Sequence, residues 1–255
     1  MLRKLLQHPI TKDIDLDSSD IYLLRKRIIK EKPFLRKLYK EWYSLVYQYL
    51  INVKHPILEI GSGGGFLEEF IPGLIKSEIL RIKDLTMVLD AQSLPFKKGS
   101  LQAIVMLDVL HHLPNTCMFF NEAIRCLKPN GRIVMIEPWA TTWSTFFFTK
   151  FHHEAFNKQA KKWEFPSKGP LSSANGALPW IIFSRDRKKF EQDFPKLSIK
   201  AINLMMPFAY ILSGGVSMRS IIPGCCYQIT RKVEHFLTPW ICKFAMFALI
   251  VVERR

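Results

Sequence analysis

The segment Ile57-Leu58-Glu59-Ile60-Gly61-Ser62-Gly63-Gly64-Gly65-Phe66 holds the residues best suited to grip a charged small molecule. An apolar run ends there in a glycine turn, and glycine lets the backbone turn sharply and a ligand lie directly against it. A helix opening after such a turn offers free N–H groups and the positive end of its dipole to an anionic group. Glu59, two residues before the first glycine, supplies the opposite sign and suits a cation. The loop therefore fits a ligand that carries both charges. A dinucleotide fingerprint would place Gly or Ala at position 66, where Phe66 stands.

Further groups able to move protons follow along the chain. Asp90 and Asp108 each end an apolar run, and Glu137 ends a third. His111-His112 follow Asp108, and His152-His153-Glu154 lie in an aromatic-rich stretch. Candidates for a general base are His112, Glu137, His152 and His153. His153 and Glu154 would make an oriented base, although adjacent residues seldom face each other on a helix. Neither zinc-ligand spacing nor a Ser/His/Asp signature is present, and no metal is expected. The five cysteines form no C-x-x-C pair, which suits a reducing cytoplasm, and the neighbours Cys225 and Cys226 read as buried rather than redox-active.

The elements that must position these groups alternate in type. Strands are expected at Pro56–Ile60, Leu74–Glu78, Thr86–Leu89, Leu101–Leu107, Arg132–Ile136, Leu197–Met205 and Ala245–Glu253. Helices are expected at Phe66–Ile75, Thr116–Leu127 and Arg185–Phe194. Strand–helix alternation implies a mostly parallel sheet with right-handed crossovers. In Lys128-Pro129-Asn130-Gly131, Pro stops a helix and Asn-Gly supplies a positive-φ turn. Ile21–Tyr49 reads as one or two amphipathic helices divided near Pro33. The domain reading is a basic helical extension at 1–50 and one α/β domain at 51–255, with 139–180 inserted as a cap over the site. The uncharged run Ala201–Met218 has the length of a spanning helix, but Asn203, Pro207 and Gly214–Gly215 make it a strand entering a cap.

Four blocks in order carry a family resemblance: Glu59-x-Gly61-x-Gly63-x-Gly65, Leu89-Asp90-Ala91-Gln92-Ser93-Leu94-Pro95-Phe96, Asp108-Val109-Leu110-His111-His112-Leu113, and Arg125 to Arg132. Residues 56–138 resemble the type 11 branch of class I S-adenosylmethionine (SAM)-dependent methyltransferases. The resemblance implies a Rossmann-like, doubly wound, seven-stranded α/β sheet and SAM as cofactor. It implies that Gly61, Ser62, Gly63 and Gly65 wrap the methionine end of SAM, with Glu59 near its amino group. Asp90 would meet the adenine amino group, and the Ala91 N–H the ring. An acidic residue ending the second strand would hold the ribose. That region is short here, and Glu78 is the first choice, Asp84 the second. Asp108, Val109 and His112 would pass under the sulfonium.

The net charge of +15 bears on partners rather than fold. Residues 21–40 alone hold eight Lys/Arg against one Glu. They suit an anionic membrane, a polyphosphate or plain solvent. The aromatic stretch 139–165 suggests a hydrophobic or lipid-like small-molecule acceptor. A nucleic acid is the runner-up, weakened because Leu107-Asp108-Val109-Leu110 stands where base-amino methyltransferases carry Asn/Asp-Pro-Pro-Tyr/Phe. A non-catalytic SAM-binding or interaction protein is the reading from another class, motivated by the compressed region 66–90. Gln7, His8 and the acidic stretch 13–20 do not form a signal peptide, so a cytoplasmic location with peripheral membrane contact is expected.

Overall fold

The computed structural model describes residues 17–82, 85–152, 154–167, 169 and 171–255. Two helices come first, α1 (Asp20–Glu31) and α2 (Pro33–Gln48). Lys32 between them is extended at φ −106°, ψ 93°, as a residue preceding proline must be, and Pro33 opens α2.

The sheet follows: β1 (Ile57–Ile60), β2 (Ile75–Glu78), β3 (Met87–Val88), β4 (Leu101–Leu107), β5 (Leu127–Pro138), β6 (Leu197–Met205) and β7 (Phe247–Arg254). Its order is β3-β2-β1-β4-β5-β7-β6. The first five strands run parallel, with Ile57 beside Ala103 and Ile104 beside Ile133. β7 is antiparallel to both neighbours, with Val134 beside Val251. This is the doubly wound, mostly parallel α/β sheet expected from the alternation. Because β1, β2, β3 and β4 run parallel, their carboxyl ends, and the loops after them, gather on one edge.

Each sheet face is buried under different chain. One face packs Ile104, Met106, Ile133 and Met135 against Phe119 and Phe120 of α3 (Thr116–Cys126) and against Ile182, Phe183 and Phe190. The other packs Ile57, Ala103, Val105, Val134 and Val251 against Phe34, Leu38, Trp42 and Val46 of α2. Each of those large side chains contributes about 1.5–3 kcal/mol by leaving water.

The helix expected at Phe66–Ile75 is a single 3₁₀ turn, Leu67–Glu69. Too few residues separate the glycine loop from β2, and Pro72-Gly73 interrupts them. Leu67, Ile71 and Leu74 instead join Tyr43 and Val46 in the face that α2 covers. The strand expected from Arg132 begins at Leu127, and the expected turn at 128–131 is an irregularity in its pairing with β4, with Asn130 at the expected positive φ, 62°. Helices α4 (Thr142–Phe151), α5 (Leu178–Trp180), α6 (Arg187–Asp193), α7 (Ala209–Ser213), α8 (Tyr227–Phe236) and α9 (Ile241–Phe244) complete the chain. Ala201–Met218 is divided between β6 and α7, and among the described residues no helix is long and apolar enough to cross a membrane. Cys225 is exposed rather than buried, and all five cysteines are free thiols.

Candidate active site

A cavity of about 690 Å³ opens at the carboxyl edge of the parallel strands. It is lined by Glu59 and the loop Gly61–Gly65, by Glu78, by Asp90 and Ala91, and by Asp108, Val109 and His112. These are the ends of β1, β2, β3 and β4, where ligands of open α/β sheets lie. His152, Glu154, Ser167, Gly169 and Leu171 line it as well, as do Arg25, Tyr39 and Tyr43 of α1 and α2.

The glycine loop turns through left-handed backbone at Gly61 (φ 72°) and Gly63 (φ 51°). A Cβ on Gly61 would collide with the Val109 side chain, so the loops after β1 and β4 touch only because position 61 is glycine. Most loop amides are held by protein. The Gly61 and Ser62 N–H groups both donate to Ser77 O at 3.0 Å, and Phe66 N–H donates to Tyr43 Oη at 3.1 Å. The expected helix N-terminus is therefore not what meets an anion. Arg25 brings a guanidinium to the cavity wall from α1 instead.

Carboxylates dominate the rest of the lining. Glu59 is 3% exposed, and burial pushes its carboxyl up to about 8 despite a hydrogen bond with Ser62. Glu78 accepts from Gly63 N–H at 2.7 Å and from Tyr22 Oη at 2.9 Å; burial still raises its carboxyl above the usual range. Asp90 Oδ1 accepts from Gln92 N–H at 2.8 Å in a tight turn, and its carboxylate lines the cavity. Asp108 sits at φ 62°, a left-handed conformation uncommon outside glycine, and burial raises its carboxyl as well. Asp84 and His153 lie outside the described residues.

Beneath His112 is a second, buried layer. Glu137, expected as a base, is fully buried and is no part of the cavity lining. Its carboxylate accepts from Val109 N–H (2.9 Å), Leu110 N–H (2.7 Å) and His111 Nδ1 (2.8 Å). It is a positioning group that fixes the loop after β4. Burial alone would lower the His111 imidazole, but its hydrogen bond to Glu137 and the nearby Glu154 carboxylate hold it well above the ordinary range. His112, by contrast, is pushed down to about 3 by burial and by its neighbour His111. Glu154 lies between the histidines, 3.4 Å from His111 Nε2, 3.7 Å from His112 Nε2 and 3.6 Å from His152 Nδ1.

The loop glycines, Glu59, Glu78, Asp90, Asp108, His112 and His152 thus meet in one cavity. Arg25, Tyr22, Tyr39 and Tyr210 were not distinguishable in the sequence. Their positions follow from how α1, α2 and α7 lie across the strand ends, and no local motif marks them.

Residues 58–135 match the family described as Methyltransferase domain. No curated protein matches the chain at a significant level. Among solved structures, a geranyl diphosphate methyltransferase in complex with SAM aligns at TM-score 0.53 and 13% identity, covering 91% of this chain and 90% of that one. The geranyl diphosphate C-methyltransferase of Streptomyces coelicolor A3(2), solved with Mg2+, geranyl diphosphate and S-adenosyl-L-homocysteine, aligns at TM-score 0.51 and 16% identity, covering 91% and 83%. At these identities the likeness is one of fold.

Proposed function

We propose that the chain, whose residues 58–135 match the family described as Methyltransferase domain, transfers the methyl group of SAM to a hydrophobic, lipid-like acceptor met at the surface of an anionic membrane. The cavity fits the cofactor by the chemistry of its walls. Three carboxylates, Glu59, Glu78 and Asp90, stand at three successive strand ends, and a left-handed glycine turn lets a ligand approach the backbone. Such walls suit a cationic nucleoside better than a phosphate-bearing one.

SAM, when bound, supplies a methyl group made electrophilic by the sulfonium. The protein holds and orients. Glu59 pairs with the amino group of the methionine end and Arg25 with its carboxylate; Glu78 takes the ribose hydroxyls; Asp90 and the Ala91 N–H take the adenine edge. Asp108, Val109 and His112 form the floor from which the acceptor is presented. Alignment of this kind is worth roughly 7–11 kcal/mol of barrier. His152, which lines the cavity beside Glu154, is the group placed to receive a proton from a hydroxyl acceptor; His112, pushed down to about 3, serves as a neutral wall.

The observation that carries the lipid reading is α8, which is built inside out. Its inner face is polar. Tyr227 donates to Glu41 Oε2 at 2.6 Å, Arg231 pairs with Glu41 at 2.7 Å, and Glu234, 3% exposed, accepts from Phe208 and Ala209 N–H at 2.6 and 2.7 Å. Its outer face is apolar. Ile229 (66% exposed), Val233 (51%), Phe236 (76%) and, beyond the helix, Trp240 (53%) form a stripe spaced four, three and four residues apart. Lys232 and Lys243 are exposed beside it, and the chain carries +15. An apolar stripe flanked by lysines suits insertion at the headgroup level of an anionic bilayer. Glu234 also anchors the start of α7, whose Tyr210 lines the cavity, so the stripe lies one helix from the site.

Incubation with radiolabelled SAM and a cell extract tests both parts. Label is expected in the organic phase after solvent partition, and the protein is expected to float with phosphatidylglycerol vesicles but not with phosphatidylcholine vesicles. Label confined to nucleic acid or polypeptide, or indifference to vesicle charge, refutes the lipid reading.

A further inference from the structure

The spacing of His and Cys along the chain argues against a metal, yet the fold assembles donors from distant positions. His111 and His112 occupy the 3₁₀ turn Leu110–His112, with rings 4.3 Å apart and tilted by 40°, so the two neighbours present their imidazoles side by side. Glu154 approaches from the inserted segment, and its carboxylate faces both rings.

The hydrogen bonds fix which ring nitrogens hold protons. His111 Nδ1 faces the Glu137 carboxylate at 2.8 Å, and His112 Nδ1 faces the Ser173 carbonyl at 3.1 Å. Both partners only accept, so both Nδ1 atoms donate. In each neutral ring, Nε2 then carries the lone pair. His111 Nε2 is fully buried and has no hydrogen-bond partner of good geometry, and Glu154 Oε2 is 3.4 Å from it. His112 Nε2 is 3.7 Å from Glu154 Oε1. Once a metal displaces the His111 Nε2 proton, as binding to a histidine requires, three donors converge, all within 4.8 Å of one another. A proton on His111 satisfies its contact with Glu154 but leaves the His112 lone pair facing a carboxylate. A single cation satisfies all three.

We propose that His111, His112 and Glu154 bind a divalent first-row transition ion, with Zn2+ the type that two imidazoles and one carboxylate fit. Ligand distances of about 2.0–2.2 Å to such an ion set tetrahedral donors about 3.3–3.6 Å apart; the 3.4 and 3.7 Å contacts of Glu154 with the two rings match that spacing, and the widest pair, within 4.8 Å, has to close by up to about an ångström. Glu137 completes the arrangement, because a carboxylate behind a ligating histidine fixes ring orientation and raises its basicity. Three protein ligands leave a position open, as in catalytic zinc sites. His112 and Glu154 line the cavity, so the open position faces the space in which the acceptor would lie. An oxygen of the acceptor, as hydroxyl or carboxylate, would complete the coordination. This last step rests on the methyl-transfer reading; the binding of metal does not.

The test is equilibrium dialysis of the full chain against Zn2+, with metal counted by mass spectrometry, and Co2+ substitution followed by visible absorption. The expected result is one equivalent bound, with d–d bands of a low-coordinate Co2+ site. Glu154→Gln and His112→Ala should each weaken uptake at least 30-fold, while His235→Ala, on the exposed side of α8, should not. Circular dichroism and the thermal transition check that the variants fold. Wild-type protein that takes up no metal, or folded variants that take up as much as wild type, overturn the site. S-adenosylhomocysteine binding is measured in parallel. Its presence without metal uptake sinks the metal site alone, and metal uptake without it leaves the site standing and removes the transfer reading.

Discussion

Glu59 offers a direct test of how the cofactor is held, because its burial links binding to pH. Its carboxyl is pushed up to about 8, so at neutral pH the empty cavity holds it mostly protonated. Ionising it at pH 7 costs about 1.4 kcal/mol, one pKa unit's worth. An amino group bound against Glu59 needs the carboxylate and must expel that proton. Linkage then requires close to one proton released per ligand at pH 6–7 and a Kd that falls roughly tenfold over that interval. Titration calorimetry with S-adenosylhomocysteine, in buffers of different ionisation enthalpy, measures both; staying below pH 7 keeps the ligand's own α-amino group, near 7.7–8.0, protonated. Glu59→Gln should bind more weakly and abolish the release. The sign for stability is opposite. An acid whose folded pKa is raised contributes stability that is present below its unfolded value, near 4.5, and lost as pH rises through about 8. The ligand-free wild type should therefore lose thermal stability between pH 5 and 8 more steeply than Glu59→Gln. A wild-type Kd independent of pH from 6 to 7, with no proton release, would refute the pairing.

Three further outcomes are expected. Asp90→Ala should cost about 1.5–3 kcal/mol of S-adenosylhomocysteine affinity, as for a hydrogen bond to a charged group, measured by calorimetry on protein whose circular dichroism is unchanged. Gly61→Ala should destabilise the fold by at least about 1–2 kcal/mol from its left-handed backbone alone, and should lose ligand binding as Val109 is displaced; denaturant titration reads the first and calorimetry the second. Trp42→Ala should cost about 3–5 kcal/mol, because Trp42 is 1% exposed between Tyr210 and Phe247. A loss below about 1 kcal/mol there would mean that α2 lies on the sheet without stabilising it.

The parallel half of the sheet was legible because buried parallel strands are short apolar runs with turn residues at their ends. Leu101–Leu107 and Leu197–Met205 have the bounds that their patterns predict. The helix expected after the glycine loop was wrong for a tertiary reason. Local pattern shows Phe66, Leu67, Phe70 and Ile71 at helical spacing, but not that α2 already occupies the face such a helix would cover. Helix α8 escaped notice for a related reason. Its apolar residues face outward, and its inner face is made of Tyr227, Arg231 and Glu234, whose worth depends on Glu41 from α2, nearly two hundred residues away.

The same distinction separates what could be read of the site from what could not. Glycines and acids at strand ends announce themselves, since each sits where an apolar run stops, and Glu59, Gly61, Asp90 and Asp108, legible in that way, line the cavity together. Glu137 occupies the same kind of position and was read the same way, yet it turns inward and spends its lone pairs on two backbone amides and one imidazole. A strand-end carboxylate is free to do chemistry only if nothing nearby needs it for folding, and that depends on the neighbouring loop. Here the neighbour is the turn carrying His111 and His112. By fixing that turn, Glu137 sets where two histidine nitrogens point. Glu154, which sequence reasoning linked only to its neighbour His153, becomes the group they face. The orientation of groups that face this cavity is therefore set by a buried carboxylate that is no part of its lining. Glu137→Gln, which keeps the shape but reverses one hydrogen-bond polarity, should disturb the His111–His112 pair while leaving the Gly61–Gly65 loop intact.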